Sequence, residues 1–171
     1  MLEAIRLLKP SDAPAYKQLR DATLTLYPTA FSSDAETEHD RPSTSYVGRL
    51  AGEPGSTCFT FGAWRDQRLV GAVSCEHDPR PKVRHVGHLV GMMVDPSAER
   101  QGMGRALLAA CLAHLRTTGE MTLVTLSVTA DNFRAIDLYE RAGFRRYGLL
   151  PRAIRVAGSF HDKALMVLDL R

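Results

Sequence analysis

Residues 92–108 read MMVDPSAERQGMGRALL, and this stretch decides the fold. The apolar residues Met92, Met93 and Val94 predict a β-strand that stops at Asp95-Pro96, and an apolar helix is predicted from Gly102 onward. A glycine-bearing turn joins the two, so several backbone N–H groups are left uncovered at the positive end of the helix. A helix start of this kind binds phosphate.

Three kinds of phosphate loop share these local features, and the spacing of the glycines decides between them. A P-loop needs Lys-Ser or Lys-Thr after its last glycine, whereas Arg105-Ala106 follows Gly104 here. A dinucleotide fingerprint needs a third small residue where Leu107 stands. Residues 99–104 resemble the third kind, the pyrophosphate loop of the GCN5-related N-acetyltransferase (GNAT) superfamily, whose pattern is Gln/Arg-x-x-Gly-x-Gly/Ala. Gly102 and Gly104 match it, and Glu99 departs from it at the first position.

A second stretch supports the same resemblance. Residues 126–144 read LSVTADNFRAIDLYERAGF, which is similar to the later motif of the superfamily: a strand, then Asn, Ala, Leu-Tyr and Gly-Phe. Asn132 and Tyr139 are two helical turns apart, so they are predicted to share one helix face. Gly143 is a natural helix stop. The resemblance covers residues 60–170 and, more loosely, the N-terminal part.

Composition indicates one globular domain over residues 1–171. An apolar fraction of 44% and a charged fraction of 24% are ordinary for a soluble protein. The net charge of +3 is too small to argue for nucleic acid, although a mild basic balance suits an anionic cofactor. We expect no membrane partner, because no apolar run approaches the length of a membrane span. The three widely spaced cysteines, Cys58, Cys75 and Cys111, fit small core residues in a reducing cytoplasm.

The order of the predicted elements indicates an α/β protein. Strands are predicted at residues 3–8, 57–64, 68–76, 83–94, 121–129, from 144 and 162–170, helices at 10–26, 34–39, 45–51, 102–117 and 132–142, and a turn at 52–55. Alternating strands and helices in the second half imply parallel strands with crossover helices, and the earlier hairpins imply antiparallel ones. The resemblance implies the GNAT fold, a mixed sheet of about seven strands with helices on both faces.

The cofactor that the resemblance implies is acetyl-CoA, with no metal. Its pyrophosphate is expected on the N–H groups of the helix start, and its pantetheine amides on the edge of the preceding strand. Asn132 is expected near the pantetheine, and capping its own helix is an alternative role that can hold at the same time. The predicted cofactor-binding residues are Met92, Met93, Val94, Arg100, Gln101, Gly102, Met103, Gly104, Arg105, Asn132 and Tyr139.

The expected reaction is acetyl transfer to an amine by direct attack on the thioester. The family position for the acid that protonates the leaving thiolate matches Tyr139, whose alternative role is a core tyrosine. An alkylamine with a pKa of about 10 must lose a proton before it attacks. In the histone-modifying branch of the superfamily the base is a glutamate six residues before the last apolar residue of the central strand, and in the arylalkylamine branch a histidine takes that position. The matching residue here is His88; the alternative is a strand histidine without a chemical role. Glu76, Asp78 and His85 are further candidates.

Several alternatives stay open at this point. A GNAT-shaped domain could hold acyl-CoA without turnover, and an enzyme could use a longer acyl group or a hydroxyl acceptor. Ser127 stands where superfamily members that modify a ribosomal N-terminus carry a glutamate, which counts against that activity. The sequence does not identify the amine, and family habit alone suggests a homodimer.

Overall fold

A computed structural model of the protein describes residues 4–50 and 56–171, and its strands form a seven-stranded mixed sheet. The strands are β1 (Ala4–Leu7), β2 (Cys58–Arg65), β3 (Arg68–His77), β4 (Val86–Val94), β5 (Leu123–Thr129), β6 (Arg145–Val156) and β7 (Ser159–Asp169). The helices are α1 (Ala13–Leu26), α2 (Ala35–His39), α3 (Val47–Leu50), α4 (Met103–Thr118) and α5 (Phe133–Arg141). The spatial order is β1-β2-β3-β4-β5-β7-β6, which confirms the predicted α/β architecture with a mixed sheet of seven strands.

Most pairings in the sheet are antiparallel, as the hairpin signals predict. Strands β2 and β3 are joined by Asp66 and Gln67, whose φ angles of 48° and 59° suit a tight hairpin turn. Strands β6 and β7 are joined in the same way by Ala157 and Gly158, with φ angles of 47° and 84°. The predicted turn at 52–55, and residues 3 and 51 of a predicted strand and helix, lie outside the described residues.

Two predicted strand starts are wrong: β7 begins at Ser159 and not at residue 162, and β4 begins at Val86 and not at Val83. The N–H groups of Val83 and Arg84 both donate to the Arg80 carbonyl, each at 3.0 Å. Residues 83 and 84 therefore belong to a turn, because these bonds draw the chain away from the extended conformation. The apolar and β-branched Val83 resembled strand sequence, but its side chain is exposed.

Strands β4 and β5 form the parallel pair of the sheet, and they separate after a short contact. Val86 pairs with Leu123, Gly87 with Val124 and His88 with Thr125, and no other residue pair joins the two strands in the described residues. On its other edge β4 follows β3 up to Val94, with a register shift around Gly91, whose φ is +61°. The two central strands therefore form a V that opens beyond His88.

Helices cover both faces of the sheet and create two apolar cores. On one face, α4 and α5 bury Leu107, Leu108 and Ile136 against the sheet. On the other face, α1 and α3 bury Tyr16 and Leu50. None of the helices in the described ranges is long and apolar enough to cross a bilayer.

Candidate active site

A cavity of about 390 Å³ lies where the end of β4 and the start of α4 meet α1 and α5. Its position follows from the V, because the strand that would otherwise continue the sheet next to β4 has already turned away. It is lined by Thr23, Tyr27, Ala30, Phe31, Met92, Met93, Val94, Ala98, Glu99, Arg100, Gly102, Met103, Gly104, Arg105, Asn132, Arg134, Ala135 and Leu138.

The start of α4 contributes uncovered N–H groups to this cavity. Gly102 caps the helix in the left-handed conformation, with φ of 77°, and Arg100 has φ of 58°. The first bond into the helix runs from the N–H of Ala106 to the carbonyl of Gly102, at 3.0 Å. The N–H groups of Met103 and Gly104 therefore have no acceptor in the helix and lie at its positive end.

The preceding loop is fixed by Asp95. Its Oδ1 accepts from the N–H of Ser97 at 2.9 Å and from the Ser97 hydroxyl at 2.6 Å, and its Oδ2 accepts from Arg68 at 2.8 Å. Burial opposes ionisation of this carboxyl, but the bonds from Ser97 and the charge of Arg68 hold its pKa below the usual range. A charged Asp95 thus holds the loop that presents the N–H groups.

One predicted cofactor-binding side chain is turned away from the cavity. The Gln101 amide donates to the Ser97 carbonyl at 2.8 Å, and its Oε1 accepts from Arg65 at 2.7 Å. These bonds direct the side chain along the outer surface, where Gln101 is exposed and does not line the cavity. Its predicted contact is therefore limited to its backbone.

Asn132 caps α5 and Tyr139 lies on it, but only Asn132 lines the cavity. The Asn132 Oδ1 accepts from the N–H of Ala135 at 3.1 Å, which is a helix cap. Tyr139 is 7% exposed and packs edge-on against Phe144, with ring centroids 5.9 Å apart. Burial raises the pKa of Tyr139 to about 12, so its phenol is protonated at neutral pH.

His88 lies at the vertex of the V, on the exposed surface of the sheet. It is the last residue of β4 to pair with β5, and across the other edge it pairs with Glu76 of β3. Its Nδ1 is 2.5 Å from the hydroxyl of Thr125, and that hydroxyl is 3.4 Å from the carbonyl of Gly87. His88 does not line the cavity, so the predicted base and the predicted cofactor loop occupy neighbouring parts of the V.

Sequence reasoning missed a contact that spans the cavity. The Tyr27 hydroxyl, at the end of α1, donates to Glu99 Oε1 at 2.7 Å, and Arg134 Nη1, on α5, donates to Glu99 Oε2 at 2.5 Å. Burial opposes ionisation of Glu99, but these two bonds hold the pKa of its carboxyl below the usual range. The available signal was the departure of Glu99 from the loop pattern.

The donor groups present suit an anionic, amide-bearing ligand. No cluster of His, Cys, Asp and Glu in the described ranges could hold a metal. Burial raises the pKa of Cys58 to about 11 and that of Cys75 to about 12, so neither thiol is an activated nucleophile. The uncovered N–H groups at α4 and the unpaired edge of β4 fit the phosphates and amides of a coenzyme A thioester.

Comparison with known proteins agrees with this geometry. The model of the acetyltransferase (GNAT) family matches residues 17–144. A curated relative, mycothiol acetyltransferase of Geodermatophilus obscurus, is 41% identical over 93 residues, which cover 52% of this chain and 29% of the relative. The chain thus spans less than a third of the length of that relative.

Solved structures share the fold over nearly the whole chain. An acetyltransferase of the GNAT family from Streptococcus pneumoniae superposes with a TM-score of 0.85 at 24% identity, covering 99% of both chains. The yncA protein of Salmonella typhimurium, solved with its cofactor acetyl-CoA, gives a TM-score of 0.81 at 19% identity, covering 100% of this chain and 95% of that one. At these identities the likeness concerns the fold.

Proposed function

The chain belongs to the acetyltransferase (GNAT) family, and from this membership we propose that it transfers an acetyl group from acetyl-CoA to an amine. We assign residues 1–171 to a single catalytic domain, since one sheet runs from β1 to β7 and the family match covers residues from α1 to the start of β6. The observation that carries the proposal is the V between β4 and β5, which opens beside the uncovered N–H groups of α4.

The residues that line the cavity provide the means to hold the cosubstrate. The N–H groups of Met103, Gly104 and Arg105 are suited to the pyrophosphate. Beyond His88, the edge of β4 that faces β5 keeps unpaired backbone groups, which can bond the pantetheine amides as an added strand would. Acetyl-CoA supplies the acetyl group as a thioester, which an amine can attack directly.

His88 is proposed as the base that takes the proton from the amine. If the Thr125 hydroxyl donates to the Gly87 carbonyl, its oxygen is left to accept from the Nδ1–H of His88. That arrangement selects the tautomer with a free lone pair on Nε2, which is the form able to accept a proton. The two hydrogen bonds therefore support the assignment of His88, and they add Thr125 as its positioning residue.

Tyr139 is proposed as the acid that protonates the leaving thiolate. Its hydroxyl has no hydrogen-bond partner among the described residues, and its pKa, raised by burial, keeps the proton in place until the thiolate forms. Tyr139 is 7% exposed, and its hydroxyl is not among the fully buried side-chain atoms that lack a partner in the described residues. An unpaired hydroxyl that keeps some exposed surface is available to donate its proton, which supports a chemical role beside the packing against Phe144.

The acceptor is proposed only as a class, a primary amine. The name of the 41%-identical relative refers to mycothiol, and the matched region is about half of this chain. We therefore include the acceptor of mycothiol acetyltransferase in the acceptor panel beside simple alkylamines, amino acids and peptide N-termini. The exposed Ser127 on β5 provides no carboxylate, which argues against a ribosomal N-terminus.

The experiment is release of the CoA thiol from acetyl-CoA over this panel, with Tyr139→Phe and His88→Gln measured alongside. Acceptor-dependent release that falls in both variants is the expected result and names the substrate class. Binding of acetyl-CoA without release for any acceptor would favour a silent acyl-CoA-binding domain. Failure to bind acetyl-CoA at all would refute the proposed function.

A further inference from the structure

Glu99 connects two elements across the mouth of the cavity. Its two carboxylate oxygens are used separately: Oε1 accepts from Tyr27 and Oε2 accepts from Arg134. All three side chains line the cavity together with the loop that starts α4. An acidic residue is therefore built into a site whose other features favour an anion, and this needs an explanation.

The position of Arg134 is also unusual on electrostatic grounds. Arg134 is the second residue of α5, near the positive end of that helix, where a cation is unfavourable. Glu99 offsets this cost by its ion pair, in which the Arg134 side chain keeps 59% of its surface exposed and the Glu99 side chain 22%. Among the described residues Arg134 bonds only Glu99, through Nη1, so its remaining N–H donors are available to another acceptor.

Resting on the proposed function, we propose that Arg134, positioned by Glu99, binds a phosphate group of the acyl-CoA donor. The pattern of the loop has Gln or Arg where this chain has Glu99, so a side-chain donor is absent from the loop at that position. Arg134 supplies the donor from α5 instead, and Glu99 holds it at the cavity. The hydrogen bond from Tyr27 fixes Glu99 in turn.

The first test is calorimetric binding of CoA, dephospho-CoA and pantetheine to the wild type and to Arg134→Gln. Loss of a charge-assisted hydrogen bond at a partly exposed site is expected to weaken CoA binding about tenfold, with pantetheine binding unchanged. If Arg134→Gln also weakens the binding of dephospho-CoA, Arg134 contacts the pyrophosphate. If it weakens only the binding of CoA, Arg134 contacts the 3′-phosphate. The matched control is Arg141→Gln on the same helix, where Arg141 pairs with Asp137 at 2.8 Å and does not line the cavity.

The second test asks whether Glu99 positions Arg134. In a Glu99→Gln background, the penalty of Arg134→Gln for CoA binding is expected to shrink, because a guanidinium without its ion pair no longer points at the ligand. A penalty that stays the same or grows in this background would overturn the positioning role. An Arg134→Gln loss that is equal for CoA and pantetheine, or no larger than that of Arg141→Gln, would overturn the phosphate contact.

These outcomes are distinct from failure of the proposed function. If the wild type binds CoA and the Arg134→Gln variant binds it equally, the inference alone is refuted. If the wild type does not bind CoA, the proposed function fails first. Circular dichroism and thermal unfolding of each variant separate loss of a contact from loss of the fold.

Discussion

Replacement of Glu38 by Gln tests the buried ion network that fixes α2 against α1. The Glu38 Oε2 accepts from Arg20 Nε at 2.8 Å and from the Tyr46 hydroxyl at 2.6 Å, and Arg41 lies 3.4 Å from Oε1. Glu38 is 6% exposed and Arg20 is 7% exposed, so the substitution leaves a nearly buried guanidinium without its counter-charge. Breaking one partner of a buried pair costs about 3–5 kcal/mol, and one hydrogen bond kept by Gln recovers about 1 kcal/mol.

We therefore expect Glu38→Gln to lower the free energy of unfolding by about 3 kcal/mol at pH 7. In a chain of this size that corresponds to a fall in melting temperature of about 6–12 °C. The matched control is Glu36→Gln on the same helix, where the side chain is exposed and the expected change is within about 0.5 kcal/mol. Urea and thermal unfolding measure both.

The same substitution has a defined dependence on pH. Burial opposes ionisation of Glu38, but the bonds from Tyr46 and Arg20 outweigh it and lower the folded-state pKa of the carboxyl. A lowered folded pKa means that the stabilisation is complete above the unfolded pKa of about 4.3 and is lost as the pH falls through the folded value. The difference between wild type and variant should be constant from pH 7 to about pH 5 and should shrink below about pH 4. A loss of less than about 1 kcal/mol at pH 7, or a difference that grows in acid, would refute this account.

Three further predictions address the proposed chemistry and cofactor binding. Thr125→Val should lower kcat about tenfold, because the His88 imidazole loses its hydrogen-bond partner, and should leave the KM for acetyl-CoA unchanged. Thr125→Ser should restore the rate. Steady-state kinetics measure both, and a Val variant with the wild-type kcat would contradict the positioning role. Gly102 and Gly119 lie at opposite ends of α4, with φ angles of 77° and 67° and open space around them. Replacing either by Ala should cost about 1–2 kcal/mol of stability, because the left-handed conformation is unfavourable for Ala. Only Gly102→Ala should weaken acetyl-CoA binding, as measured by calorimetry. Tyr139→Phe should cost less than about 1 kcal/mol of stability, because the hydroxyl has no partner among the described residues. It should also lower kcat about 100-fold. An unchanged kcat would mean that Tyr139 has only a packing role.

The fold was predictable because its signals are local. The strand, turn and helix around Gly102, and the later strand and helix around Asn132, each carry their own periodicity and stop signals within about 20 residues. Two strand–helix units that follow each other along the chain can be arranged in only a few sheet topologies, because parallel crossovers are right-handed and connections are short. The false start of β4 at Val83 shows the limit, because the turn bonds to Arg80 compete with strand pairing and leave no periodic trace.

The cavity was only partly predictable, because one side of its wall comes from the N-terminal part of the chain, far in sequence from the two motifs. Tyr27 and Phe31 reach the cavity from the segment after α1, and sequence spacing carries no information about which residues they meet. Helical period predicted a shared face for Asn132 and Tyr139, yet seven residues fall about 20° short of two full turns. Arg134, Ala135 and Leu138 of α5 line the cavity, whereas Tyr139, the next residue, packs with the core beside it.

Asn132 is the residue for which sequence and structure together define a separable test. Its Oδ1 caps α5 through the N–H of Ala135, while its side-chain NH₂ has no partner in the described part of the chain and lies at the cavity. Asn132→Ser keeps a capping oxygen and removes the amide donor, whereas Asn132→Ala removes both. If the amide bonds the pantetheine, Ser should keep stability and weaken acetyl-CoA binding about fivefold, and Ala should also lose about 1 kcal/mol of stability. Equal acetyl-CoA affinity in the wild type and the Ser variant would reduce Asn132 to a cap, because a lost donor to a bound amide cannot leave the affinity unchanged.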